Sequence, residues 1–371
     1  MTRIATTVSG VTDFAALERK WRDLEARSDC SFFQGWTWTG CLAAERFPDA
    51  VLVEAREAGR TVALALFNRR GRTLHLGESG DPGLDSVYIE FNGVLAETGR
   101  EAALTAVCLR AARMSSGAWL PGARPRLVLG GVTAATEAAA AEAGFVRRNR
   151  SLSAPFVGLT REEICFLDSR SANTRQQLRR SNRGYAAIGG IAIEPAVTLA
   201  RANEFLDGLM ALHQASWVAR GKPGAFANPF FVRFHRALIA RGLPRGEIDL
   251  LRVTAGPQTI GLLYNFRYRD RSLAYQSGFD YAGAGRQGKP GLTCHHEAIR
   301  LAARSGAVRY DFLAGDDRYK RSLSNGAETL HWIEVAGRWS PRFALRRAVD
   351  FVISSRRLRS SGANLMELAG S

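Results

Sequence analysis

One order of elements occurs twice along this chain, and it constrains the fold more than composition does. Near the N-terminus VLVEARE, TVALALFNRR and TLHLGE are apolar or alternating runs separated by turn residues. GREAALTAVCLRAARM, RLVLGG and TAATEAAAAEAGF follow, reading as a helix, a buried strand and a helix ending at Gly144. Period-2 alternation broken by turns predicts an antiparallel meander, and helical spacing in the later runs predicts helices. After a connecting stretch, RNRSLSAPFVGL, come three helical segments and a second meander, EIDLLRVTA, TIGLLYNFRYR and SLAYQSGFD. A glycine loop, a helix, the strand VRYDFLAG and a last strand, TLHWIEVAG, complete the series. The expected class is α/β (α+β), a structural duplication without a residue-level repeat. At 371 residues the chain has room for two units of roughly 150 to 200 residues. We place them at 1–160 and 161–335, with a tail of different character at 336–371.

The glycine loop is the first candidate site. Residues 283–290 read GAGRQGKP, a phosphate-loop motif in all but its last position, where Pro290 offers neither a Mg²⁺-binding hydroxyl nor a backbone N–H. No βαβ unit with a ribose-binding acid follows the loop, so nucleotide hydrolysis and dinucleotide binding are set aside. Pro290 suits a first helical position, and the glycines let backbone N–H groups approach an anion at the positive end of a helix.

Charge points the same way. Fifty-one Lys and Arg against 35 Asp and Glu leave +16, a field that attracts phosphates on any carrier and does not choose among them. No recognised module or interleaved aromatic pattern supports specific nucleic-acid binding. The five cysteines, Cys30, Cys41, Cys108, Cys165 and Cys294, are scattered and odd in number, which argues against a disulfide framework and a zinc site. His295, His296 and Glu297 lack H-E-x-x-H spacing, so no metal is expected. No signal-peptide core and no apolar run of about 18 residues is present. The expectation is a cytoplasmic protein, peripheral at the inner face of the membrane if its tail binds there.

The run YQSGFD, the KPG loop with its helix, and GAVRYDFLAGDDRYKRSL resemble the signature of the GNAT-like acyltransferases of the cellulose-biosynthesis CelD and BioF2-like group, relatives of the FemAB peptidoglycan-bridge transferases. SFFQGWTW and LHQASWVARGKPGAF add to the likeness. It spans about residues 30–335 and is most specific at Asp311, Phe312, Gly315, Asp316, Tyr319 and Lys320. The resemblance implies two tandem GNAT-like domains, each a mixed, largely antiparallel sheet flanked by helices. It also implies acetyl-CoA or another acyl-CoA as donor, and as acceptor an amino sugar of an exopolysaccharide, holdfast-type adhesin or lipid-linked envelope precursor. Arg286, Gln287, Gly288, Lys289 and Gly291 would then cradle the pyrophosphate. The family's R/Q-x-x-G-x-G/A spacing is not met from Arg286 or Gln287. That leaves open aminoacyl-tRNA, the donor of FemAB relatives acting on peptidoglycan precursors.

Acyl transfer to an amine needs a neutral nucleophile, a group that polarises the thioester carbonyl and an acid for the departing thiolate. His213, one helical turn from Trp217, is the candidate base, with Trp217 beside the acceptor. Asp280 and Asp316 are candidates to orient the base or bind the acceptor, and turn-capping fits Asp280 equally well. Tyr319 is the candidate acid, and Lys320 would meet a phosphate or sugar oxygen. Arg175, Arg179 and Arg183 share one helical face suited to a phosphate-bearing acceptor. In the tail, residues 341–358 read as a basic amphipathic helix able to lie on an anionic membrane surface. Arg338, Arg342, Arg346 and Arg347 could instead pair with the phosphates of cyclic di-GMP, to which some members of holdfast-type pathways are linked.

Overall fold

A computed structural model describes residues 3–115, 124–159, 166–285, 288–315 and 317–337. Its first half runs β1 (Ile4–Gly10), α1 (Phe14–Glu25), α2 (Trp36–Thr39), α3 (Ala43–Arg46), β2 (Ala50–Glu57), β3 (Arg60–Arg70), β4 (Thr73–Leu76), β5 (Leu95–Ala96), α4 (Glu101–Met114), β6 (Arg126–Val132) and α5 (Ala134–Ala141). The long strand β7 (Phe145–Gly158) leads into α6 (Ala172–Ala186), β8 (Ile191–Pro195), α7 (Leu199–Val218), α8 (Pro229–Gly242), β9 (Ile248–Ala255), β10 (Gln258–Tyr268) and β11 (Arg271–Phe279). Then follow α9 (Pro290–Arg304), β12 (Arg309–Asp311), α10 (Arg318–Leu323) and β13 (Gly326–Ala336). Side-chain caps start several helices: Asp13 accepts from Ala16 N before α1, Thr198 from Arg201 N before α7, and Asn228 from Phe230 N before α8.

Both meanders form as the alternation requires, β2-β3-β4 and β9-β10-β11. Among the described residues the strands make one mixed sheet ordered β1-β2-β3-β4-β6-β13-β7-β12-β11-β10-β9-β8, with β5 against β3. The stretch read as a connector is in fact the body of β7. It escaped notice because Arg148, Asn149, Arg150 and Ser151 are exposed. Ladder hydrogen bonds to β13, more than apolar burial, hold that part of it. β13 lies between β6 and β7, pairing with both. Its Ile333 and Val335 enter the core of the first half, and its Leu330 enters the core of the second.

Each half also carries one parallel pair, β4 with β6 and β11 with β12, and the two pairs end differently. Beyond β4 and β6 the opening is filled by the chain itself: Asn92 bridges to Val132, and its side chain donates to Leu76 O at 2.9 Å. On the segment leading there Val87, Ile89 and Phe91 are buried in the core of the second half, Tyr88 packs against that core stacked on Tyr275 at 4.8 Å, and Tyr88 and Glu90 reach the cavity described below. SFFQGWTW secures the same junction, with Phe32 stacked on Phe266 at 4.2 Å and Trp38 edge-on to Phe234 at 5.0 Å. Such aromatic pairs contribute about 0.5–1.5 kcal/mol each beyond the area they bury. Among the described residues no helix is long and apolar enough to cross a membrane, and no group of three or more His, Cys, Asp or Glu is placed to hold a metal.

Candidate active site

β11 and β12 pair over three residues, ending at Leu273 opposite Asp311. Past that point β11 continues to Phe279, while the other chain turns away as Phe312, Leu313 and Ala314. A cavity of about 560 Å³ opens in this split, lined by Ala274–Ser277 on one lip and Phe312–Ala314 on the other. That volume suits a small-molecule site.

α7 lies across the split because β11 has no side chain at Gly278, where a Cβ would stand 2.5 Å from Leu209 O. This approach lets His213 Nδ1 reach Ser277 O at 3.1 Å. A carbonyl can only accept, so Nδ1 carries the proton and Nε2 is left with its lone pair. Among the described residues Nε2 has no partner. Burial, opposed by the Ser277 bond and aided by Arg220, lowers the imidazole pKa below its ordinary value. Trp217 sits at the mouth, ring centroid 5.7 Å from His213, with Arg220 and Lys222 over its face.

The opposite wall comes from both halves of the chain. Glu90 Oε2 accepts from Ala314 N at 2.6 Å, and Ala314 O accepts from Lys320 Nζ at 2.9 Å. One residue, Ala314, is thus clamped through its N–H by an acid and through its carbonyl by an ammonium. The clamped loop is strained, with Leu313 at φ 59°, a conformation that costs a branched side chain about 1 kcal/mol or more. Burial raises Glu90 to about 7 and lowers Lys320. Tyr88 donates to Tyr275 O at 3.1 Å and accepts from Gln276 Nε2 at 2.9 Å. Tyr319, its phenol pushed up by burial, faces this cavity and a second one.

The second cavity, about 540 Å³, shares Arg220, Tyr281, Asp317 and Tyr319 with the first. Lys289 and Arg318 add positive charge beside Asn173, Thr174 and Gln177 of α6. The start of α9 is fixed there, because Ser181 Oγ accepts from Lys289 N at 2.9 Å and also meets Thr293 Oγ1 at 2.9 Å. A Cβ on Gly288 would lie 1.9 Å from Ala284 O, so the loop excludes any side chain at that position. Three cations, one acid and the start of α9 fit the phosphate end of a long donor, and the shared wall leads from it to His213.

The residues expected from sequence are distributed as follows. His213, Trp217, Tyr319 and Lys320 line the first cavity, and Lys289 lines the second. Gly291 is in the first turn of α9, its would-be Cβ against the Phe279 ring. Asp280 is in neither lining. Its carboxylate holds a turn, accepting from Gly283 N at 2.8 Å and Gln258 Nε2 at 3.2 Å. Arg175 is turned back onto the carbonyls of Asp168 and Arg170, and Arg179 is exposed on α6 away from both cavities. Lys320, expected to meet a phosphate or sugar oxygen, is buried and its ammonium donates to Ala314 O. Arg286, Gln287, Asp316, Arg338, Arg342, Arg346 and Arg347 lie outside the described residues. Sequence reading missed Tyr88, Glu90 and His295. The first two were signalled by a polar alternation inside VYIEF.

Residues 172–321 match the model of the acetyltransferase (GNAT) domain. This stretch is a GNAT-type domain, and the chain is an enzyme of the N-acyltransferase class. Its fold is shared with several solved structures. FemX is 10% identical, covering 91% of this chain and 99% of its own, with TM-score 0.57. The C-terminal DUF2156 domain of an Agrobacterium fabrum protein named as a lysylphosphatidylglycerol synthetase is 12% identical, covering 91% and 96%, with TM-score 0.54. A Bacteroides thetaiotaomicron protein of unknown function is 10% identical, covering 90% and 100%, with TM-score 0.53. No curated protein matches the sequence.

Proposed function

We propose that this chain transfers an acyl group, acetyl in the simplest case, from acyl-CoA to the amine of an amino sugar in an exopolysaccharide, adhesin or lipid-linked envelope precursor. The observation that carries the proposal is the bare Nε2 of His213 in a split-sheet cavity continuous with a cation-lined one. The donor's phosphates lie by Lys289, Arg220 and Arg318, and its thioester reaches the split. The acceptor enters past Trp217. Its nitrogen attacks the carbonyl carbon, the C–N bond forms and the C–S bond breaks. His213 Nε2 takes the proton lost by nitrogen, and Tyr319 gives its phenolic proton to the thiolate.

Calorimetric titration with acetyl-CoA, beside a Gly291→Trp variant that blocks the start of α9, tests the donor. Micromolar binding lost in the variant supports the proposal. No binding to the intact chain turns the reading to aminoacyl-tRNA, the donor of a FemAB-like transferase acting on a peptidoglycan precursor. Regulation by cyclic di-GMP through Arg338, Arg342, Arg346 and Arg347, and membrane contact through the same tail, are separate proposals. Deleting residues 336–371 tests both, since unchanged nucleotide and vesicle binding would remove them.

A further inference from the structure

A second histidine lines the same cavity with its ring nitrogens set the other way round. His295, on α9, is 1% exposed and lies parallel to Tyr319 at 5.2 Å. Its Nδ1 is 3.0 Å from Tyr310 Oη, and Asn265 Nδ2 donates to that same Oη at 3.4 Å. A phenol has one proton. With Asn265 supplying a proton to Oη, the phenol's own proton is directed at His295 Nδ1, which therefore accepts. The single proton of the neutral ring then resides on Nε2, which has no partner among the described residues. Burial, together with Lys320, lowers His295 to about 3, so the ring is neutral across the working range.

The sheet explains how two opposite tautomers meet. α7 packs on Leu262, Tyr264 and Phe266 of β10, whereas α9 packs on the face that carries Leu263. Asn265 alternates onto that second face. His213 thus comes from one side of the sheet and His295 from the other, and they share a cavity because the sheet is split there.

Building on the acyl-transfer reading, we propose that His295 polarises the donor carbonyl: its Nε2–H, held in place by Asn265 and Tyr310, donates to the carbonyl oxygen as that oxygen gains negative charge. No bond to His295 forms or breaks, and its proton stays on Nε2 throughout. A donor fixed in advance in a water-poor site needs no reorganisation when charge develops. Asn265 and Tyr310 are positioning residues, since they set the tautomer without touching substrate.

Nitrogen-15 NMR of histidine ring nitrogens on the full chain, with His295 assigned through a His295→Gln variant, reads the tautomer directly. The expected spectrum has His295 protonated on Nε2 and His213 on Nδ1. A His295 protonated on Nδ1 overturns the proposal whatever the reaction. Kinetics then use Asn265→Asp, because a carboxylate can only accept and would draw the Tyr310 proton away, forcing the His295 proton onto Nδ1. The expected result is an inverted tautomer and a kcat lower by about 10²–10³-fold with donor KM little changed. Asn265 stands opposite Asp249 in register, and two buried acids there threaten folding, so Tyr310→Phe is measured in parallel and should lower kcat too. If the wild type transfers acyl groups and a variant with an altered tautomer is equally fast, the role of His295 is overturned alone. If the wild type transfers nothing, the acyl-transfer reading falls and takes this role with it.

Discussion

His213 and Ser277 are joined by a hydrogen bond of 3.1 Å from the ring Nδ1–H to the backbone carbonyl. That bond ties the base we propose on α7 to the edge of β11 just past the split, so under that proposal any change that moves α7 relative to β11 acts on the chemistry.

The first consequence concerns acidity. His213 works as a base only when Nε2 is unprotonated, and its pKa is lowered from an ordinary 6.5, chiefly by burial. Activity should hold down to pH values below 6.5 and fall as pH drops through the lowered pKa, on the acid limb of kcat/KM. His213→Ala should lose about 10²–10⁴-fold in kcat and lose that limb as well. A limb that survives in the variant would assign it to another group.

Gly278 sets the distance between α7 and β11. Gly278→Val places its Cβ 2.5 Å from Leu209 O. The expected cost is about 1–3 kcal/mol of stability, with a drop in kcat as His213 leaves Ser277. Chemical denaturation and steady-state kinetics on the same preparation check both.

Glu90 holds the Ala314 peptide from the other half of the chain. Glu90→Ala leaves Ala314 N–H without its acceptor and should cost about 1–3 kcal/mol, whereas Glu90→Gln keeps an acceptor oxygen. The pH dependence has a definite sign. Burial raises Glu90 in the fold from an ordinary 4.5 to about 7, so the folded state holds its proton more tightly than the unfolded chain. Its contribution is fully present below 4.5 and is lost as pH rises through about 7. Denaturation midpoints measured at pH 5 and pH 8 should therefore move in favour of Glu90→Gln, relative to wild type, at the higher pH.

Lys289 and Arg318 flank the second cavity. Their double alanine variant should raise KM for acyl-CoA with little change in kcat, because phosphate contacts far from the thioester bind ground state and transition state alike. The wild-type KM should also rise with ionic strength more steeply than that of the variant. Equal salt dependence would place the donor's phosphates elsewhere.

Local pattern was enough to predict both meanders, the helices around them and the glycine loop ahead of α9. It also singled out His213, Trp217, Tyr319 and Lys320, which the fold gathers around one cavity. Such features depend on neighbours a few residues apart: alternation places strand faces, and a four-residue spacing sets Trp217 over His213. What the tertiary structure decided depends on pairing across long separations. Glu90 meets Ala314 across 224 residues, and β13 crosses back to join β6. Asn265 selects the tautomer of His295 through Tyr310. Alternation of side chains states which face a residue occupies but not which strand becomes its neighbour, so the acid at Glu90 and the donor at His295 became visible only once the sheet was assembled.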